Sequence, residues 1–558
     1  MLFDRGQYDA ARKYWLEALN ANPSRDHRAG LLGLIGASLW REGKASDAIT
    51  YFTKAADALD ASAADVKVEE LLSGYLGSNR RWYYELLIEM LVKQGRYGEA
   101  FAQAERARAR AFLQLVGNHR LSAERGADPT LVAEAEMLRT QIARWEQLKK
   151  NARQEEAEKL ESEVQHAQRR YQTLLVRVKV SNPEYASVTT VEPVQLDAVR
   201  DSLPAGAVMI SYFVSTHFVH AWVIDRVGMH YVSLPLDEAK LQRLVCWASH
   251  FAPREQPRGA QPSNAAESCT ALATAEEAFD GLIAPLLDHL QTATMLVIVP
   301  HGVLHYVPFA ALRNRDTGRY LVQDYTLIHV PSASSLRFLH AKESPVERRA
   351  LVLGNPDTPL PLLPLPGAVV EANAVAQMLG TTAHLGPDAR ESMLYSLGGK
   401  IDFVHIAAHA LYDGDNPLFS RVALAPGDGQ DGSLTVHEIL SSLDLTGVNL
   451  VVLSACRSAV GARSGGDEVV GLTRALLYAG TPNVISTLWN INDTASAGLM
   501  SEFYRRLVAG ASVAESLRQA QLSLIDNPVF GDPKYWAAFT LSGDPQGWSA
   551  VAAGGKKP

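Results

Sequence analysis

Cysteine is scarce: three residues, Cys246, Cys269 and Cys456, in a chain of 558. That number excludes a disulfide framework and suits a reducing, cytoplasmic compartment. Cys246 and Cys269 sit in helix-like stretches with no nearby base and read as packing or surface residues. No apolar run approaches the roughly 20 residues needed to cross a bilayer. The opening residues, MLFDRGQYDAARKYW, form a charged helical pattern and not a secretory leader. Positive charge is also short, with 53 Lys and Arg against 61 Asp and Glu and a net charge of −8. A general basic surface for nucleic acid is therefore not expected. The glycine-rich GARSGGDEVVG lacks both GK[ST] and GxGxxG spacing, so no phosphate-cradling loop is read there. His405 and His409 lie four apart, but IDFVHIAAHA reads as a strand, without an intervening Glu or a third ligand. Neither a metal nor a cofactor is expected.

What remains is an ordinary globular composition, 47% apolar and 20% charged. The length implies roughly two to four domains. Repeats occupy the front. LLGLIGASLWREGKASDAITYFTKAADAL places Gly36, Gly43, Ala48, Phe52 and Ala55 at the spacing of a tetratricopeptide repeat. Small residues there let antiparallel helices approach, and the aromatic fills the space between hairpins. GQYDAARKYWLEALNANP repeats the second half with Gly6, Ala11, Trp15, Ala18 and Pro23, and a third copy carries Gly95, Ala100, Ala104 and Ala107. The first copy starts inside a repeat, which makes its edge either a docking surface or simply a boundary. Residues 129–180 are rich in helix formers and read as a helical hairpin turning near Asn151.

After Ser181, Asn182 and Pro183 the hydrophobic period changes from helical to alternating. Strands are expected from Val208 to about Val232, at Met295–Val299 and again from residue 350, with helices between them. Such alternation predicts a mostly parallel sheet covered on both faces. In it, Val448–Leu453 is a buried strand delivering Cys456 to its carboxyl end, and IDFVHIAAHA does the same for His409. Ligands and chemistry collect at the carboxyl ends of strands in α/β sheets. A thiol becomes nucleophilic as the thiolate, and an imidazole is its usual activator. The backbone N–H groups after each residue can face a developing oxyanion. His301 and His305 have no such partner and read as structural. Asp467 and Glu468 open a helix, where their charge is favourable; receiving a basic substrate side chain is the alternative.

On these residues the chain resembles the CHAT-domain family, caspase-like cysteine peptidases related to separases and often preceded by tetratricopeptide repeats. The shared motifs include ERARARAFLQL, VPHGVLHYVPFAAL, VPSASSL, LVLGNPD, HIAAHA, LSACRS, YAGTPNVISTLWNIND and FTLSGDP. The resemblance implies an α plus α/β chain: a repeat solenoid over 1–118, a helical connector over 119–185, a degenerate caspase-like half over 186–342, an active half over 343–548 and a disordered tail over 549–558. It implies a cysteine endopeptidase in which His409 is the general base, Cys456 the nucleophile, and the N–H groups of Ala410 and Cys456 the oxyanion hole. His405 looks like a non-catalytic companion. Relatives carry glycine where this chain has Ala410, and alanine is strained there if the position needs positive φ. A protein substrate and a protein partner on the repeats are expected, with no nucleic acid and no membrane. The alternative is an inactive caspase-like scaffold whose repeats bind proteins.

Overall fold

Glycine punctuates the helical front end. In the computed structural model Gly6, Gly43 and Gly95 have φ of 75°, 78° and 71°. Each closes a turn in the same way: Gly43 N–H donates to Trp40 and Lys44 N–H to Leu39, as Gly95 and Arg96 donate to Val92 and Leu91. This is a left-handed helix cap that a Cβ would strain. Gly6 precedes α1 (Tyr8–Asn20), Gly43 separates α2 (Arg25–Arg41) from α3 (Ala45–Ala63), and Gly95 separates α4 (Trp82–Lys93) from α5 (Tyr97–Val116). Five residues after each cap an alanine, Ala11, Ala48 or Ala100, is buried. Phe52 is fully buried, and a Cβ at Gly36 would stand 3.2 Å from its ring. The repeat spacing is thus a packing rule: small residue, close approach, aromatic filler.

The structure describes residues 2–21, 23, 25–63, 82–116, scattered positions from 130 to 170, 195–216, 218–251, 273–339, 349–360, 362–397, 401–412, 419–456, 471–489 and 491–547. The expected turn near Asn151, the glycine-rich loop with Asp467 and Glu468, Cys269 and the tail lie outside them. The chain divides into two compact units, Met1–Val194 and Gln195–Pro558.

The second unit is built on one mixed sheet. Its strands are β1 (Ala207–Val214), β2 (Val219–Ile224), β3 (Met229–Leu234), β4 (Met295–Val299), β5 (Thr326–His329), β6 (Ala350–Pro356), β7 (Ala383–Gly386), β8 (Phe403–Leu411), β9 (Arg421–Ala423), β10 (Ser433–Thr435), β11 (Leu450–Cys456), β12 (Asn483–Thr487) and β13 (Phe539–Gly543). They run in the order β10-β9-β8-β11-β12-β13-β5-β4-β1-β2-β3, with β6 beside β8 and β7 beside β6. The helices that matter below are α6 (Pro366–Met378) and α7 (Asp493–Val508).

Two parallel blocks make up this sheet, and they point opposite ways. β8, β11 and β12 are mutually parallel, as are β5, β4 and β1. β13 pairs antiparallel with β12 and parallel with β5, which reverses the direction at the seam. The carboxyl ends of the blocks therefore open on opposite rims. The central strands are largely buried on both faces; β4 is buried from Leu296 to Val299 and β11 from Leu450 to Leu453, which is why both read as apolar runs.

One cysteine departs from expectation. Cys246 is buried and disulfide-bonded. The scarcity of cysteine therefore no longer argues for a reducing compartment.

Candidate active site

β8 and β11 lie side by side and in register from Leu450↔Phe403 to Cys456↔His409. The pairing follows from two apolar runs of matching length, each ending in small residues that leave the strand ends uncrowded. The last pair of this ladder is the two residues read from the sequence as base and nucleophile, at one rim of one parallel pair.

His409 is half-buried, and its Nε2 stands 2.7 Å from the carbonyl oxygen of Leu363. A carbonyl only accepts, so Nε2 carries the hydrogen. In the neutral ring the lone pair is then on Nδ1, the nitrogen able to take a proton. Leu363 belongs to the proline- and leucine-rich stretch between β6 and α6. Sequence reasoning missed it, because a backbone acceptor has no residue signature.

Below the rim, His405 shares the parity of His409 along β8 and is fully buried. Its Nδ1 is 3.1 Å from the hydroxyl of Tyr504 on α7. Its Nε2 is 3.3 Å from Glu371 Oε1 on α6, an electrostatic contact and not a well-aligned hydrogen bond. Burial, and then the charge of Glu371, push the Tyr504 phenol well above its ordinary value, so it keeps its proton and can donate to His405. Ser496 Oγ donates to the other Glu371 oxygen at 2.8 Å and lies 3.2 Å from Ser454 Oγ on β11. This polar chain pins both site strands to both helices. A cavity of about 30 Å³ beside it, lined by Glu371, Ser454, Asp493 and Ser496 among others, has room for water.

Ala410 lies in the extended run of β8, paired with Val422 of β9. Among the described non-glycine residues only Asn355 and Asp428 have φ in the left-handed region. The strain expected at Ala410 is absent, since a strand position suits alanine as well as glycine. His301 and His305 follow β4 and belong to the opposite rim. His301 is buried, accepts from Val214 N–H through Nδ1 at 3.0 Å and stacks on Phe213 at 4.3 Å. Among the described residues no helix is long and apolar enough to cross a membrane.

Residues 272–544 match the family model of the CHAT domain. The chain carries a CHAT domain. Among curated proteins it is similar to tetratricopeptide repeat protein 28 of Mus musculus, 30% identical over 317 residues, which are 48% of this chain and 13% of that one. The Homo sapiens protein of the same name is 28% identical over 318 residues, again 48% and 13%. The chain thus spans about an eighth of the curated relatives it matches. Among solved structures, the Saccharomyces cerevisiae separase–securin complex aligns over 95% of this chain and 45% of that one, with 12% identity and a TM-score of 0.41. The pro- and mature domains of Porphyromonas gingivalis RgpB align over 55% and 76%, with 12% identity and a TM-score of 0.32.

Proposed function

We propose that the CHAT domain is a cysteine endopeptidase working through a His409–Cys456 dyad, with residues 186–342 as a degenerate caspase-like half and 343–548 as the active half. The observation that carries this reading is the register pairing of Cys456 with His409 at the end of adjacent parallel strands. Nδ1 of His409 accepts the thiol proton, and the thiolate attacks the scissile carbonyl carbon. The N–H groups of Ala410 and Cys456 receive the oxyanion. On collapse the C–N bond breaks, His409 returns the proton to the leaving amine, and an acyl-enzyme remains. Water then hydrolyses the thioester, with His409 again as base. Asp467 and Glu468 are proposed to receive a basic side chain of the substrate. The repeats over 1–118, followed by the connector 119–185, dock or sense a protein partner.

Alkylation of Cys456 by iodoacetamide, followed by peptide mapping across pH, tests the dyad without a known substrate. An activated thiol reacts well below the ordinary thiol range, and His409→Ala abolishes that reactivity. An ordinary thiol profile in the unaltered protein favours the inactive scaffold. Cleavage of a peptide library, lost in both Cys456→Ala and His409→Ala, tests the peptidase itself.

A further inference from the structure

Resting on the dyad reading, we propose that Asn355, in the LVLGNPD stretch, is a positioning residue that sets the His409 tautomer through the Leu363 carbonyl. Three observations converge. β6 changes register between Gly354 and Pro356, leaving Asn355 as the bulged residue at the strand's carboxyl end. Asn355 has φ of 44°, a left-handed conformation that asparagine tolerates and most residues do not. Its Oδ1 accepts the N–H of Leu365 at 2.7 Å.

Bulges re-aim side chains, and strained backbone gathers where the surroundings impose it. Here the bulge turns the Asn355 carboxamide onto the segment that carries Leu363. Two residues beyond Leu365, Gly367 N–H donates to Asp493 Oδ2 at 3.2 Å. A Cβ at Gly367 would fall 2.1 Å from the Asp493 side chain, so that approach requires glycine. The segment is therefore tied at Leu365 to β6 and at Gly367 to α7, just after the carbonyl that holds His409 Nε2. With that carbonyl fixed, the hydrogen stays on Nε2 and the lone pair on Nδ1. Without it, the exposed ring samples both tautomers and rotates. Asn355 acts on His409 only through Leu363.

The test uses the full chain with three substitutions: Asn355→Gly, Asn355→Asp and His409→Ala. Glycine accepts the backbone angle and removes only the acceptor; aspartate keeps an acceptor oxygen. Thermal melting checks that each variant folds. Two signals are read: the pH profile of Cys456 alkylation by iodoacetamide, and the His409 tautomer from long-range ¹H–¹⁵N correlation. Asn355→Gly is expected to slow Cys456 alkylation near neutral pH about tenfold and to mix the tautomers, with Asn355→Asp within about twofold of the unaltered chain. An Asn355→Gly protein with the native profile and a pure Nε2–H ring overturns the clamp. An unchanged profile in His409→Ala overturns the dyad instead, and the tautomer comparison still decides for or against the clamp.

Discussion

Two blocks of parallel strands share one sheet, and each carries a histidine at or just past the carboxyl end of a strand. After β4, His301 is buried, stacked on Phe213, with Nδ1 committed to the Val214 N–H. In β8, His409 is half-exposed, with Nε2 committed to the Leu363 carbonyl and a cysteine as its register partner. The same residue type serves as a core acceptor in one block and as a surface base candidate in the other. What differs is which nitrogen the backbone occupies. An acceptor role at Nδ1 removes the lone pair from use; a donor role at Nε2 leaves it for chemistry.

The strongest way to break this comparison is to truncate both histidines. His409→Ala is expected to lower Cys456 alkylation near neutral pH by about 100-fold while costing less than about 1 kcal/mol of stability. His301→Ala should do the reverse, costing about 2–4 kcal/mol by leaving a cavity and an orphaned Val214 N–H, with alkylation unchanged. Chemical denaturation and peptide mapping on the two variants read both effects. Equal loss of reactivity in both would end the distinction between the rims.

Next in size is the polar chain beneath the second block. Glu371→Ala strips His405 and Ser496 of their shared partner inside the core. Denaturant melts are expected to show a loss of about 3–5 kcal/mol, against a smaller loss for Glu371→Gln, which keeps the acceptor for Ser496. A negligible cost for Glu371→Ala would mean that the chain does not hold the strands.

Acid separates the blocks differently. Beside the first block, His220 on β2 is buried, and that burial pushes it down from 6.5 to about 4. Between those values the unfolded chain binds a proton that the folded chain does not. The contribution of His220 to stability is therefore full above about pH 6.5 and is lost as pH drops towards about 4, about 3 kcal/mol from this group. His329 on β5, which burial also pushes down to about 4, adds a slope of the same sign. His220→Gln should reduce the slope in melts at graded pH without removing it; an unaltered slope would place the acid sensitivity elsewhere. The smallest effect is at Gly354 of β6. A Cβ there would meet Ala372 at 2.5 Å and the Ala368 carbonyl at 3.0 Å. Gly354→Ala is expected to cost about 1–3 kcal/mol by pushing α6 off the sheet.

Much of the fold was legible because it rests on local rules. The change of hydrophobic period after Pro183 separated helices from sheet, and Met295–Val299 was read to the residue as a strand. The glycine and alanine spacing of the repeats was readable because a left-handed cap and a close helix approach each admit few residue types. The strand-end placement of His409 and Cys456 was also legible, since each closes an apolar run. The Leu363 carbonyl and the Asn355 clamp had none.

What the sequence determined by itself was thus the inventory: helical repeats, buried strands, and a histidine and a cysteine each ending one of them. Only the tertiary structure decided how these meet. The reversal of strand direction at β13 sent His301 to the far rim, and the β8–β11 register brought His409 beside Cys456. Both depend on pairing between segments far apart in the chain. The burial that selects such a pairing belongs to the packed sheet and to no single stretch of residues.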